Sequence, residues 1–343
     1  MKMKDLTNIA YNKKASDIHI SVNAPILFRI DGSLIPLNNK ILNEEDTKQL
    51  VEEILSIELI KELETKGELD FSYSNSNTGR YRVNIFKQKG TFSIVLRLIP
   101  FEIPSMQSLG LPKISKDLAM LKQGLILVTG PTGSGKTTTL ASMINFINQE
   151  KSCHILTLED PIEYIHNHNK SLINQREIGK DTESFSGSIR SALRQDPDII
   201  LIGELRDLET ISIALTAAET GHLVLSTLHT SGSYQTINRI IDIFPYHQQQ
   251  QIRTQLSEVL KGIISQVLIP KASTSGRVAA FETMIVTRAI KNLIREDKIH
   301  QISGIIETGS RYGMQTLDNS LLNLCRDGII NKKDIHFNSI NNQ

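Results

Sequence analysis

The sequence has few cysteines and no excess of charge of either sign. Its 343 residues include two cysteines, Cys153 and Cys325, which are far apart and belong to no C-x-x-C pair. This argues against a zinc ribbon and a disulfide framework, and fits a reducing compartment. The 38 Lys and Arg residues balance 37 Asp and Glu residues. No net basic field therefore attracts nucleic acid or an anionic membrane.

Long apolar runs and aromatic residues are also scarce. No run is long enough to span a bilayer, and the start "MKMKDLTNIAYNKKASDIHIS" has no apolar stretch typical of a signal peptide. Tryptophan is absent and aromatic residues make up 5%, whereas single-strand nucleic-acid binding favours basic grooves with stacking rings. We expect a soluble, cytoplasmic protein without direct nucleic-acid contacts, which docks on a membrane partner.

The length and the sequence pattern predict two domains joined by a linker. Residues 1–99 contain short alternating runs, "DIHISV", "ILFRID", "YRVNIFK" and "FSIVLRLI", that predict strands, and "EEDTKQLVEEILSIELIKELETK" has helical spacing. These residues are predicted to form a small α+β domain. The segment "IPFEIPSMQSLGLP" carries three of the ten prolines and predicts an extended linker over 100–112.

Residues 113–343 have the alternation expected of an α/β domain. The apolar strands "LILVTG", "HILTLED", "DIILIGE" and "HLVLSTLHT" are each followed by a polar or amphipathic stretch. This predicts a parallel sheet covered on both faces, with ligands at the carboxyl ends of its strands.

A further helix is predicted in "QQQIRTQLSEVLKGIISQVL", after the "HQQQQ" at 247–251. Its apolar stripe is interpreted as core packing in preference to a partner groove. The stripe consists of Ile252, Leu256, Val259, Leu260, Ile263, Ile264 and Val267.

A phosphate-binding loop follows the first of these apolar strands. "GPTGSGKT" matches G-x-x-x-x-G-K-[ST] between a predicted strand and a predicted helix, which disfavours a chance glycine turn. Lys136 is expected to reach the β- and γ-phosphates of ATP, and Thr137 to offer its hydroxyl to Mg²⁺. The candidate cofactor-binding residues are Gly130, Pro131, Thr132, Gly133, Ser134, Gly135, Lys136, Thr137 and Thr138.

Carboxylates and histidines follow the neighbouring strands. Glu204 ends "DIILIGE" and is predicted to serve the metal, the alternative being a helix-capping acid. Glu163 in "EDPIE" is a candidate general base, although such acidic turns are usually solvated surface. His222 and His229 flank "LVLSTL", where a neutral imidazole can donate a hydrogen bond to the γ-phosphate. Single histidines are more often structural.

Four boxes in this order resemble the secretion and type IV pilus motor ATPases, which are hexameric RecA-like enzymes. They are "GPTGSGKTTT", "LEDPIEY", "DPDIILIGELRDLETI" and "TAAETGHLVLSTLHT", and "ASDIHIS" is similar to the start of the family's N-terminal domain. The resemblance implies a RecA-like P-loop ATPase domain preceded by a smaller, PAS-like α+β domain.

One more motif resembles the retraction branch of the family. "AIKNLIRE" is similar to its AIRNLIRE motif, with Lys291 in place of Arg, and the chain lacks the tetracysteine insertion of assembly and secretion motors. The alternative is an ordinary amphipathic surface helix. The resemblance implies a homohexameric motor that retracts type IV pilus fibres, docked on an inner-membrane platform protein at the cytoplasmic face.

The resemblance also implies roles for individual residues. Lys136 and Thr137 hold phosphate and Mg²⁺, and Glu204 reaches the metal through water. Glu163 polarises the attacking water. His229 senses the γ-phosphate, and the role of His222 is less defined.

Two arginines of the N-terminal domain complete the implied site. Arg82 in "GRYRVN" and Arg97 in "IVLRLIP" match the arginines that the family brings to the phosphates. Each has the alternative of pairing with a surface acid. Other functions left open are an assembly or secretion motor, a RecA-like nucleic-acid translocase, and a nucleotide-binding regulator without turnover.

Overall fold

The chain divides into two compact units, Met1–Glu102 and Ile103–Gln343. A computed structural model describes residues 2–30, 32–75, 78–99, 102–273 and 276–338. Over these ranges no helix is both long and apolar enough to cross a membrane.

The first unit is an antiparallel sheet with helices packed on one face. Its strands are β1 (Asp17–Ile20), β2 (Leu27–Ile30), β3 (Ser33–Pro36), β4 (Glu68–Asn75), β5 (Gly79–Gln88) and β6 (Thr91–Ile99). Its helices are α1 (Met3–Asn12), α2 (Glu44–Ile54) and α3 (Ile57–Lys66). The strand order is β3-β2-β1-β6-β5-β4, and every neighbouring pair is antiparallel. The predicted α+β architecture of this part is confirmed.

Local signals explain where the helices begin. Asn43 caps α2 in a capping box with Asp46, and the Ser56 side chain accepts a hydrogen bond from the backbone N–H of Leu59 to start α3. The helical stretch read from the sequence is therefore two helices.

Alternation along β5 separates the core of the first unit from its polar face. Tyr81, Val83 and Ile85 are fully buried against the helices. Arg82 lies between them in the sequence and points to the opposite face, because successive side chains of a strand alternate.

The second unit is an α/β domain around a seven-stranded sheet. Its strands are β7 (Gly124–Thr129), β8 (His154–Glu159), β9 (Leu172–Glu177), β10 (Ile199–Ile202), β11 (Leu223–Leu228), β12 (Leu260–Pro270) and β13 (Arg277–Ile285). Its helices are α4 (Ile114–Ala119), α5 (Lys136–Glu150), α6 (Phe185–Ala192), α7 (Leu208–Glu219), α8 (Ser233–Asp242), α9 (Tyr246–Val259), α10 (Arg288–Arg295), α11 (Ile302–Thr308), α12 (Leu317–Arg326) and α13 (Lys332–Asn338). The strand order is β13-β12-β7-β11-β10-β8-β9, with every pair parallel except β12 with β13.

Strand β7 shows that both faces of this sheet are covered. Leu125 and Leu127 join the core formed with α7, α8 and α9, whereas Ile126 and Val128 join the core formed with α5. A strand buried on both faces is apolar at every position, which is why "LILV" has no polar alternation. The predicted RecA-like α/β domain is confirmed.

One predicted helix is wrong beyond Val259. Helix α9 ends there, and Leu260 to Pro270 form β12 between β7 and β13. The spacing 260, 263, 264, 267 fits a helix, but it also fits a central strand in which both faces are buried. All seven residues of the stripe contribute to hydrophobic cores, which confirms the interpretation as core.

The segment predicted as an extended linker is partly compact. Residues 100 and 101 lie outside the described residues. Met106 is buried in the core beside α5 and Leu111 packs against it, while the backbone N–H of Leu111 donates to the carbonyl of Met106. Residues 103–112 thus pack as part of the second unit.

Candidate nucleotide site

The carboxyl ends of four neighbouring strands lie at one edge of the seven-stranded sheet. Thr129 at the end of β7 pairs with Leu228 at the end of β11, and Ile202 at the end of β10 pairs with both Ser226 of β11 and Leu158 of β8. The residues that follow these ends therefore meet in one region. This edge is where ligands bind in open α/β sheets.

The loop after β7 has the backbone of a phosphate cradle. Gly130, Gly133 and Gly135 have φ values of 143°, 78° and 88°, in the region that favours glycine. Gly130 also lies where any side chain would collide, since an added Cβ would be 2.3 Å from the carbonyl oxygen of Gln266. The hydroxyl of Ser134 is buried without a hydrogen-bond partner among the described atoms. The loop leads into the N-terminus of α5, which favours an anion.

Lys136 lies over this loop. Its Nζ donates to the carbonyl oxygens of Gly130 at 2.8 Å and Pro131 at 3.0 Å. Burial lowers the pKa of Lys136, and the charges of Glu204 and Glu163 oppose that shift. The two predicted carboxylates therefore act on the ammonium group that is predicted to bind phosphate.

His229 connects the phosphate loop to Glu204. Its Nε2 lies 3.3 Å from Glu204 Oε2, and its Nδ1 lies 3.3 Å from Thr132 Oγ1. A carboxylate oxygen accepts, so the contact at Nε2 is that of a ring N–H donating to Glu204, and the contact at Nδ1 fits a hydroxyl donating from Thr132. Arg206 forms an ion pair with Oε1 of Glu204. The carboxylate of Glu204 is thus held from both sides.

The turn after β8 carries Glu163 on an exposed surface above a buried carboxyl. Glu159 accepts hydrogen bonds from Thr157 at 2.6 Å and from the amide of Gln175 at 3.2 Å. The same amide nitrogen donates to the carbonyl of Tyr164 at 2.8 Å. Burial raises the pKa of Glu159 to about 7. Strand β9, through Gln175, therefore fixes the turn that presents Glu163.

Helix α5 also contacts this turn. The hydroxyls of Thr138 and Tyr164 are 3.0 Å apart. Thr137, the predicted metal ligand, precedes Thr138 in the first turn of α5 and is half-buried. The acidic turn and the helix that follows the phosphate loop are therefore joined directly.

His222 lies at the opposite edge of the sheet from His229, so within one chain the structure does not bring the two histidines together. It precedes β11, and its backbone carbonyl accepts from the N–H of Gly124 at the start of β7. The two histidines are seven positions apart at the two ends of a strand, a separation of about 23 Å. The His222 Nδ1 is 3.0 Å from the carbonyl of Ala217. Within one chain, His222 supports the end of α7.

The two arginines form a cross-strand pair on the polar face of the first unit. Arg82 of β5 pairs directly with Arg97 of β6. Arg97 Nε lies 2.8 Å from Asp17 Oδ1, whereas Arg82 Nε lies 3.8 Å from Asp70 Oδ1. Burial raises the pKa of Asp17, but hydrogen bonds from Arg97 and Ser16 outweigh it and leave that pKa below its ordinary value. Both guanidinium groups are largely exposed.

Two glutamines next to the site were missed in the sequence. Gln175 contacts Glu159 and Tyr164, and Gln266 of β12 contacts the phosphate loop. The signal for Gln266 was a polar residue inside the apolar run "IISQVLI", because a buried amide requires partners. Gln175 had no comparable signal, since "LINQRE" alternates with polar residues.

Residues 2–317 match the family described as Type II/IV secretion system protein. The chain is 47% identical over 334 residues to the type IV pilus retraction ATPase PilT of Pseudomonas aeruginosa, covering 97% of both proteins. It is also 47% identical over 304 residues to a twitching motility protein of Neisseria gonorrhoeae, covering 89% of this chain and 81% of that protein.

A solved structure resembles the whole fold. The crystal structure of the pilus retraction motor PilT with bound ADP superposes with a TM-score of 0.94 at 48% identity, covering 99% of this chain and 97% of that one. Similarity at this level extends over both units.

Proposed function

Because the chain belongs to the Type II/IV secretion system protein family, we propose that it is an ATP-hydrolysing motor that retracts type IV pili and drives twitching motility. The observation that supports this most strongly is the arrangement of the phosphate loop, His229, Glu204 and the acidic turn on four adjacent strand ends. The similarity to PilT over 97% of both chains selects retraction among the functions of the family.

We assign ATP to the phosphate loop. The loop supplies backbone N–H groups and the Lys136 ammonium, which together match the charge of a triphosphate. Thr137 and Glu204 are the residues that would hold Mg²⁺, Glu204 through water. Bound Mg²⁺ would neutralise charge on the phosphate oxygens.

Hydrolysis uses the exposed carboxylate of Glu163 to orient water and accept its proton. The water oxygen bonds to the γ-phosphorus as the bond to the β-γ bridging oxygen breaks, giving ADP and phosphate. His229 lies between Thr132 and Glu204, so it is placed to exchange one of these contacts for the γ-phosphate. Loss of that phosphate restores the contacts seen here.

Arg82 and Arg97 are assigned to the phosphates in the closed state of each subunit. The domains we propose are 1–99 and 113–343, joined through residues 100–112. ATP favours closure only through contacts that the open state lacks, and the arginines supply such contacts.

In the proposed homohexamer, closure of one subunit displaces its neighbour. Hydrolysis is thereby converted to movement of an inner-membrane pilus platform protein at the cytoplasmic face. Balanced charge and few aromatic residues weigh against nucleic acid as a direct partner.

The test is to delete the gene and count surface pili by electron microscopy, with complementation by wild type and by Lys136→Ala. We expect excess pili and lost motility, both corrected by the wild type alone, because Lys136 binds the phosphates. Cells without pili would instead identify an assembly motor. Unchanged pili would indicate secretion or DNA transport.

A further inference from the structure

Gln266 is a buried side chain that contacts the phosphate loop from a neighbouring strand. It is 2% exposed and lies on β12, which runs parallel to β7. Its Nε2 donates to the carbonyl oxygen of Ser134 at 2.6 Å, and its Oε1 accepts from the hydroxyl of Thr139 at 2.8 Å. One amide thus connects the loop to the first turn of α5.

The backbone of Gln266 also fits closely against the loop. An added Cβ at Gly130 would lie 2.3 Å from the Gln266 carbonyl oxygen, and one at Gly135 would lie 3.3 Å from Nε2. Gln266 therefore contacts the beginning of the loop, its end and the helix that follows. None of these contacts involves the backbone N–H groups of the loop or the Lys136 ammonium, which are the groups proposed to bind phosphate.

A glycine-rich loop loses much conformational entropy when it is ordered. If only a fraction of molecules holds the loop open for phosphate, the apparent dissociation constant rises by the inverse of that fraction. Removing the buried amide would leave the Ser134 carbonyl and the Thr139 hydroxyl without this partner, and the loop would then be less firmly held.

We propose that Gln266 is a positioning residue that holds the phosphate loop in its nucleotide-binding conformation before nucleotide arrives. The inference rests on the proposed nucleotide site and assigns β12 a part in it. Gln266 acts through Ser134 and Thr139 and touches no phosphate.

The first variant is Gln266→Met, which keeps the side-chain length and removes both hydrogen bonds. We measure binding of a fluorescent ADP analogue, and KM and kcat for ATP, with the full chain. If the variant reduces the fraction of molecules whose loop can bind nucleotide to a tenth, both Kd and KM rise about tenfold. The kcat at saturating ATP should stay within about twofold of the wild-type value. The matched control is Gln251→Met, an exposed glutamine of α9, which should leave all three values unchanged.

Further variants separate positioning from folding. Thr139→Val removes only the hydroxyl that contacts Oε1, and its effect should not add to that of Gln266→Met, because both break the same bond. Gln266→Glu keeps the acceptor for Thr139 but places a second acceptor opposite the Ser134 carbonyl, so ADP should bind at least as weakly as to Gln266→Met.

The outcomes distinguish this inference from the proposed function. Lowered melting temperatures with unchanged Kd and KM in the Gln266 and Thr139 variants would show a purely structural role and overturn the inference. Wild-type protein that binds no ADP analogue would overturn the proposed nucleotide site itself.

Discussion

At the scale of single residues, Glu159 is a buried carboxyl that does not need to be charged to support the site. It accepts hydrogen bonds from Thr157 and Gln175 beneath the turn that bears Glu163. Burial raises its pKa from 4.5 to about 7, so the folded protein retains a proton that the unfolded chain has released. The stability this provides is present below pH 4.5 and is lost as the pH rises to about 7.

Glu159→Gln should therefore be a pH-dependent stabilising change. The shift of the pKa corresponds to about 3 kcal/mol. We expect the free energy of unfolding of the variant, relative to wild type, to rise by about 2–3 kcal/mol between pH 5 and pH 8. Urea denaturation at both pH values measures it.

The exposed Glu183→Gln is the control for that experiment. Its stability relative to wild type should be the same at both pH values. A Glu159→Gln variant that shows the same difference at pH 5 and pH 8 would mean that Glu159 is ionised in the folded protein.

Residues proposed to bind ligand are easier to predict from the sequence than residues that hold the phosphate loop in place. Lys136 and Thr137 stand in a motif whose spacing is set by the phosphates, so the sequence alone specified them. Gln266 is 130 residues further along the chain, and its contact with Ser134 depends on β12 lying next to β7. Contacts of this kind depend on the order of the strands in the sheet, which cannot be read from a local sequence pattern.

At the scale of elements, β11 carries one histidine at each end with different surroundings. His229 contacts Thr132 and Glu204, whereas His222 contacts the end of α7. We expect His229→Ala to lower kcat for ATP about 100-fold, the range typical of a positioned catalytic side chain. His222→Asn should lower stability by about 1 kcal/mol with a much smaller loss of kcat.

Steady-state turnover and thermal unfolding of both variants test this difference. If both variants lost turnover equally and His222→Asn kept the wild-type melting temperature, the amino ends of the strands would also serve a nucleotide site. That site would belong to another subunit. That result would support the catalytic assignment of His222.

The strands that were predicted correctly share one property. β7, β8, β10 and β11 are short apolar runs bounded by turn residues, so their burial on both faces was visible in the sequence. β12 directly continues helix α9 without such a boundary, and its apolar spacing also fits a helix. The boundary at Leu260 is set by pairing with β7, which is a tertiary interaction.

At the scale of the whole molecule, the proposed site draws on both units. The phosphate loop, Glu163, Glu204 and His229 belong to the second unit, and the two arginines belong to the first. The proposal assigns nucleotide binding to groups of the second unit alone. Their proposed contribution is to turnover in the closed state of the ring.

Arg82 tests this division more cleanly than Arg97. Removing Arg97 takes a hydrogen bond from the buried carboxylate of Asp17, which would destabilise the first unit. The contact of Arg82 with Asp70 is exposed and 3.8 Å long, and such pairs contribute about 0–1 kcal/mol. A functional effect of Arg82→Ala can therefore be separated from a folding effect.

We expect Arg82→Ala to lower ATP turnover of the assembled hexamer by about 100-fold or more, because an arginine that neutralises transition-state charge contributes about 10³–10⁵. Binding of a fluorescent ADP analogue to dilute, unassembled subunits should equal that of wild type. Lys87→Ala, an exposed cation on the same strand, controls for loss of charge. Normal turnover by Arg82→Ala hexamers would limit Arg82 to its contact with Asp70, and the first unit would then act on hydrolysis without this arginine.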